Sequence, residues 1–220
     1  MAESGGISIG AFDRVVHSSA NYWAAMLSDL AAAVAFLALG LHQFSGSWIV
    51  ACGVVIAGFT SSGLLEYVLH RWVLHGPASM ARRGHAQHHV EPGALVSTPL
   101  FVIMIVALAT WGLLGLVLPA GVAALLVFGL YARYNYFALL HHVQHHGGND
   151  LARLAYWRRL QRLHHLHHRR QVVNFGISTT IWDRLFGTYE PTNEPATDDA
   201  FWSAIRSYWV KLTGKPSTTS

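Results

Sequence analysis

Thirteen of the fifteen histidines fall into four short groups: His70 and His75 in HRWVLH; His85, His88 and His89 in HAQHH; His141, His142, His145 and His146 in HHVQHH; His164, His165, His167 and His168 in HHLHH. Imidazole suits iron, zinc and copper, whereas magnesium and calcium prefer oxygen donors. The single cysteine, Cys52, offers neither a disulfide nor a thiolate site, so any metal is held by nitrogen or oxygen. On a helix, residues three or four apart share a face, so His85 and His89, or His164 and His168, converge on one site. Adjacent residues diverge by about 100°, which lets the second member of an HH pair serve a neighbouring ion. The repeated HxxHH pattern therefore predicts two nearby metals. His70 and His75, five apart, point apart on a regular helix; either the helix loosens near Gly76-Pro77 or the two rings bind different ions. Glu66, one turn before His70, and Asp183 are the candidates to hold ring N–H groups from outside the ligand set, although Asp183 also has Arg184 beside it. The isolated His17 and His42 read as structural.

The elements that carry these groups are mostly apolar. Hydrophobic residues make up 52% of the 220 and charged residues 12%, a balance that favours a membrane protein over a soluble globule. Four stretches approach the roughly 20 apolar residues that a bilayer core requires: Tyr22–Leu39, Trp48–Leu69, Thr98–Leu118 and Ala120–Leu140. The third carries no charge, while the others contain Asp29, Glu66 and Arg133. An arginine inside a span needs a partner, so Arg133 reads as a structural pair as readily as a catalytic group. Short connections, GLHQFSGS and the region of Pro119, arrange the spans as two helical hairpins.

None of the fifteen Lys and Arg residues lies in a hairpin loop. Arg14, Arg71, Arg82, Arg83 and the ten cations after Arg133 then share the cytoplasmic side, with both termini and all four histidine groups. That bias accounts for the net charge of +4 without nucleic acid. LARLAYWRRLQRL and FWSAIRSYWVKL show apolar residues near helical spacing, and read as amphipathic helices on the membrane surface or within a cytoplasmic cap. The expected architecture is all-α: four transmembrane helices in two hairpins, with a cytoplasmic helical cap carrying a His-rich dimetal site. Residues 1–220 form a single integral-membrane domain, with 1–20 a cytoplasmic segment lacking signal-peptide features and 213–220 a disordered tail.

EYVLHRWVLH, HAQHH, HHVQHH and HHLHH, followed by NFGISTTIWDRLFGT, resemble the fatty acid hydroxylase and sterol desaturase superfamily of integral-membrane di-iron oxygenases over roughly Glu66 to Glu190. The resemblance implies metal ligands at His70, His75, His85, His88, His89, His164, His167 and His168, joined by an HxxxH pair. That pair is preferably His141 and His145, with His142 and His146 at the same spacing as the alternative and His165 as an extra histidine. It implies two iron ions, for which zinc substitutes during purification, and a reaction in which O2 and two external electrons hydroxylate a C–H bond of a lipid drawn from the bilayer. The electrons are expected from a separate donor, such as a cytochrome b5-like protein or a ferredoxin, since no fused donor domain is visible in the sequence.

The NFG...WDRLFGT segment is most similar to the acyl hydroxylases and favours a fatty acyl chain. HRWVLH and HAQHH are also similar to carotenoid ring hydroxylases, and a sterol-type substrate is a further alternative. A membrane metal transporter or storage protein is the competing class. Such a protein needs ligands along a translocation path, whereas these groups lie at one face and the hairpin side has only His42.

Overall fold

Ser18 opens the first long helix by accepting a hydrogen bond from the N–H of Asn21 at 3.4 Å, the usual N-cap role of a serine. The computed structural model describes residues 11–147 and 154–192. A short α1 (Ala11–Val16) precedes α2 (Ser19–Gln43), which extends about one turn beyond the expected span at either end. α3 (Trp48–Leu69) continues into a π-helical turn, His70–Leu74. Then come α4 (Met80–Val90), α5 (Leu100–Leu114), α6 (Ala120–His146), α7 (Ala155–Arg169) and the single-turn α8 (Ile181–Leu185). No strand occurs among the described residues.

Among the described residues, three helices are long and apolar enough to cross a membrane: Ser19–Gln43, Trp48–Leu74 and Ala120–His146. The uncharged segment Thr98–Leu118 yields a shorter helix than its composition predicts. Pro99 occupies the N-cap and Gly115 the C-cap, leaving 15 residues. At about 1.5 Å per residue that is roughly 22 Å, less than the hydrocarbon thickness of about 30 Å. Residues 115–117 continue as turns, with Leu116 N bonding the Leu113 carbonyl at 3.2 Å and Val117 N that of Leu114 at 3.0 Å, and Pro119 then disfavours the helical conformation at Leu118. α6 differs the other way. With no breaker before Gly147, it runs past Leu140 through the whole of HHVQHH.

The chain divides into two compact units, 1–62 with 94–135 and 63–93 with 136–220. In the first, Phe36 and Tyr131 lie among Ala33, Ala107, Ala124 and Val127 in a buried cluster. α3 and α6 meet at glycines: a Cβ on Gly129 would stand 2.3 Å from the Val55 carbonyl oxygen, and one on Gly58 would stand 2.3 Å from that of Leu126. Asn21 ties α2 to the start of α5, donating to Ser97 Oγ at 2.8 Å and accepting from Leu100 N at 3.2 Å. Arg133 lies with its guanidinium 5.1 Å from the centre of the Phe59 ring.

In the second unit, α7 buries Leu160, Leu163 and Leu166 in register with His164 and His167. The amphipathic segment and HHLHH are thus one helix, whose apolar face also holds the histidines. Trp157 packs edge-on against Tyr136 at 6.0 Å. The amphipathic helix expected over FWSAIRSYWVKL, the tail 213–220 and residues 1–10 of the segment 1–20 expected to be cytoplasmic lie outside the described residues.

Candidate metal centre

The π turn decides how the first two histidines are used. The His75 N–H donates to the His70 carbonyl at 3.1 Å, an i to i+5 bond that brings rings five apart onto one face. The loosening therefore lies just before Gly76-Pro77, and His70 and His75 join one group instead of two. α4 and α7 contribute reciprocally. α4 sends His85 and His89 to that group and His88 to a second; α7 sends His167 to the first and His164 to the second. α6 adds His141 and His145 to the second group. His168 stands beside them, its Nε2 3.1 Å from that of His164. Nine of the ten histidines of the preferred ligand set are thus brought together as five and four, with His168 next to the second group.

The contacts within each group exceed what hydrogen bonding can explain. His85 Nε2 lies 3.0 Å from His70 Nε2, 2.9 Å from His75 Nε2 and 3.0 Å from His89 Nε2. A ring nitrogen offers one proton or one lone pair, and so makes one such bond. Nitrogens about 3 Å apart are, however, what a shared ion requires, since donors at about 2.1 Å and roughly right angles have that separation. In the second group the Nε2 atoms of His141 and His88 are 3.1 Å apart, and those of His145 and His164 are 2.7 Å apart. The residues present therefore fit two transition-metal ions.

Electrostatics agree with ligation. Burial pushes the His88 and His167 imidazoles down to about 3 and His75 down to about 4, with neighbouring imidazoles adding to the shift. His85, His164 and His168 are also lowered, for the same first reason. Each is neutral at physiological pH, with a lone pair available to a metal.

The acids act one layer further out than their sequence positions suggest. Glu66 accepts from the backbone N–H groups of Ile177 and Ser178 at 2.8 and 2.9 Å, and from the Ser178 hydroxyl. Asp183 accepts from Phe175 N at 2.7 Å, Gly176 N at 2.8 Å and Thr188 Oγ1 at 2.8 Å. Both carboxylates grip the loop 174–178, and backbone carbonyls at its start meet the rings. His70 Nδ1–H donates to the Phe175 carbonyl at 2.5 Å, and His167 Nδ1–H to that of Val173 at 2.8 Å.

The NFG segment is thereby explained residue by residue. Asn174 takes a left-handed conformation, φ 52°, which asparagine tolerates better than most residues, and its side chain pairs with the backbone of Glu190 at 2.9 Å in both directions. The Phe175 ring packs edge-on against His70, His75 and His167. Gly176 has no room for a Cβ, which would meet the Thr179 carbonyl oxygen at 2.1 Å and Asp183 Oδ2 at 2.6 Å. Further along, Phe186 stacks on Tyr67 at 5.1 Å, and the Tyr67 hydroxyl bonds Thr188 at 2.9 Å and accepts from Arg71 at 2.7 Å. Histidine-centred reading misses Tyr67, Arg71, Asn174, Phe175 and Thr188; the signal was the quoted EYVLHRWVLH string for the first two and NFG...WDRLFGT for the other three.

His142 and His146 form their own stacked pair at 4.5 Å, outside both groups. His165 approaches the Gln144 carbonyl at 3.4 Å. His17 and His42 also lie outside the groups.

A fatty acid hydroxylase family profile matches residues 55–188. A dihydroceramide fatty acyl 2-hydroxylase of Arabidopsis thaliana is 28% identical over 62% of this chain and 60% of its own length. The fatty acid 2-hydroxylase of Rattus norvegicus is 31% identical over 63% of this chain and 40% of its own. A β-carotene hydroxylase of a Paracoccus species is 30% identical over 56% of this chain and 80% of its own. The structure of full-length Scs7p, in which only the hydroxylase domain is visible, superimposes with a TM-score of 0.69 at 23% identity, covering 84% of this chain and 72% of that one; at that identity the likeness concerns the fold. The chain thus spans only part of the two fatty acyl 2-hydroxylases, and most of the carotene hydroxylase. On the matched region, the chain belongs to the fatty acid hydroxylase family.

Proposed function

We propose that this chain is an integral-membrane di-iron oxygenase that hydroxylates a C–H bond of a lipid, with a fatty acyl chain as the substrate class. The observation that carries the reading is the pair of all-histidine groups, in a chain whose family is that of the fatty acid hydroxylases. His70, His75, His85, His89 and His167 would hold one ion, and His88, His141, His145, His164 and His168 the other. When bound, iron supplies what side chains lack: activation of O2, with two electrons from outside, to place one oxygen atom on carbon.

The chain's own residues do the rest. Burial of His145, His164 and His167, each at most 2% exposed, keeps water from the ligand nitrogens. Their surroundings hold the imidazoles neutral, so no ligand has to lose a proton first. The Phe175 and Val173 carbonyls fix the His70 and His167 rings with Nε2 turned toward the other imidazoles, where each would hold the ion.

Four spans in two hairpins, with the site and both termini cytoplasmic, remain the proposed topology. The Lys and Arg distribution supports it, and exposed Leu116 and Val117 extend the apolar surface of the short α5. On this reading the whole chain serves as one hydroxylase domain, and electrons arrive from a separate carrier of the cytochrome b5 or ferredoxin kind. Arg82, Arg83 and Arg169 are exposed on or beside the histidine-bearing helices and would give such a carrier basic contacts.

A carotenoid ring hydroxylase is the second reading, favoured by the 80% coverage of the Paracoccus enzyme. Expression in a host supplied with both lipid classes, under 18O2, decides between them. The expected product is an acyl chain heavier by one labelled oxygen, absent with His164→Ala. Labelled carotenoid beside an unchanged acyl pool transfers the assignment to the second reading. An iron-loaded protein that labels neither lipid rejects both.

A further inference from the structure

We propose that the two metal positions differ in strength, the first being the tighter, and that Asp183 is the positioning residue that makes it so. The inference rests on the dimetal reading and concerns how each ligand set is prepared before an ion arrives. In the first group, His70 and His167 donate from Nδ1 to the Phe175 and Val173 carbonyls at 2.5 and 2.8 Å. Each ring is therefore already in the tautomer that leaves its lone pair on Nε2, and can neither flip nor move its proton without losing a buried bond.

The second group is not prepared in this way. The Nδ1 atoms of His145, His164 and His168 are buried without a hydrogen-bond partner among the described residues, a condition that His89 shares in the first group. Their ligating tautomer carries an unsatisfied buried N–H. An ion entering the first group meets two rings already set by backbone carbonyls; one entering the second meets three rings without such an anchor.

The His70 half of that preparation traces to one carboxylate. Asp183 accepts from Phe175 N, Gly176 N and Thr188 Oγ1, and so fixes the Phe175–Gly176 peptide whose carbonyl holds His70; the peptide that holds His167 is tied instead by Asn174 N, which donates to the Thr188 carbonyl at 2.9 Å, on the residue whose hydroxyl Asp183 also grips. Partners of this outer kind typically change metal affinity by about 10–100-fold.

The test uses the full chain in detergent, loaded anaerobically with Fe2+, with bound iron counted by elemental analysis as a chelator is raised. Release is expected in two steps separated by on the order of 10–100-fold in chelator concentration. The tight ion should persist in His145→Ala and be lost in His85→Ala. Asp183→Asn should move the tight step toward the weak one and leave the weak step in place. Thr188→Val removes one of the three bonds and gives a smaller shift in the same direction, so the inference stays testable if Asp183→Asn does not fold. Single-step release of both ions, a tight ion that depends on His145, or equal weakening of both steps by Thr188→Val overturns the proposal. Wild-type chain that takes up no iron rejects the dimetal reading itself, and this inference with it.

Discussion

In the first compact unit, α3 and α6 approach until a single added carbon at Gly129 would collide with a backbone carbonyl. In the second, the largest fully buried side chains include His70, His145, His164, His167, Gln144 and Asp183. Helices in lipid gain little from burying apolar surface against each other, so close packing of small residues carries their association. A polar interior depends on partners, because each buried group left without one costs about 1–3 kcal/mol. The first unit is therefore intolerant of added volume, and the second of a lost hydrogen bond. α3 and α6 contribute to both units, so one helix must satisfy both rules along its length.

The largest effect should come from violating the first rule. Gly129→Leu forces the helices apart, because even its Cβ would lie 2.3 Å from the Val55 carbonyl oxygen and 3.0 Å from Phe59 N. A loss of about 3 kcal/mol or more is expected, at the upper end of overpacking. Gly53→Ala in the same unit is the control: nothing lies within 4 Å of a Cβ there, so thermal unfolding in detergent should hardly change. Equal losses in the two variants would remove the contrast between a packed glycine and a free one.

Acid should act on the second unit. In the metal-free protein, His88 and His167 are held at about 3, against an ordinary value of 6.5, so below pH 6.5 the unfolded chain takes up protons that the folded one refuses. Their contribution is fully present above that pH and falls as the solution is acidified toward 3. Each group loses about 1.4 kcal/mol per pH unit in that window, or roughly 2–3 kcal/mol for the pair at pH 5.5. Melting of the apo protein at pH 7.5 and 5.5 measures this. A melting point that does not fall would mean that these rings are not held neutral by the fold.

A smaller loss tests the hydrogen-bond rule by itself. Thr188→Val keeps the shape and removes the hydroxyl shared by Asp183 Oδ1 and the Tyr67 hydroxyl. About 1–2 kcal/mol is expected, read in the same melting experiment. Tyr131→Phe in the first unit, which deletes a bond to the Ile103 carbonyl at 2.5 Å, should cost less, about 0.5–1 kcal/mol, because that carbonyl belongs to the helical ladder of α5. The reverse order would contradict the assignment of polar dependence to the second unit.

These two rules also explain what the sequence made legible. Apolar length located three helices long enough to cross a membrane and the shorter apolar α5, because membrane helices write their requirement into composition. It overran α5, whose ends fall at Pro99 and Gly115, inside the apolar stretch. Histidine spacing of three and four placed rings correctly on one face, since those intervals follow from helix geometry. The interval of five between His70 and His75 was not readable, as a π turn has no residue signature. Nor were the anchors of His70 and His167, because they are backbone carbonyls and every residue has one. Glu66 and Asp183 stood out as acids near histidines, but a carboxylate grips N–H groups of a loop as readily as those of a ring, and only the fold distinguishes the two.

The smallest expected effect concerns the two interleaved pairs at the end of α6. His141 with His145 and His142 with His146 have the same spacing, and the pairs differ by one residue, about 100° around the helix. The structure places His141 and His145 in the second group, whereas His142 and His146 stack on each other outside it. The double variant His142→Ala/His146→Ala should therefore retain two irons per chain after anaerobic loading, and should hydroxylate lipid at close to the wild-type rate. His141→Ala/His145→Ala should retain one iron and lose turnover. Both double variants remove two half-buried or buried imidazoles from the same helix, so general destabilisation would affect them alike. The iron count isolates the register, and an ion lost from the first variant but kept by the second would move the ligand assignment on α6 by one residue.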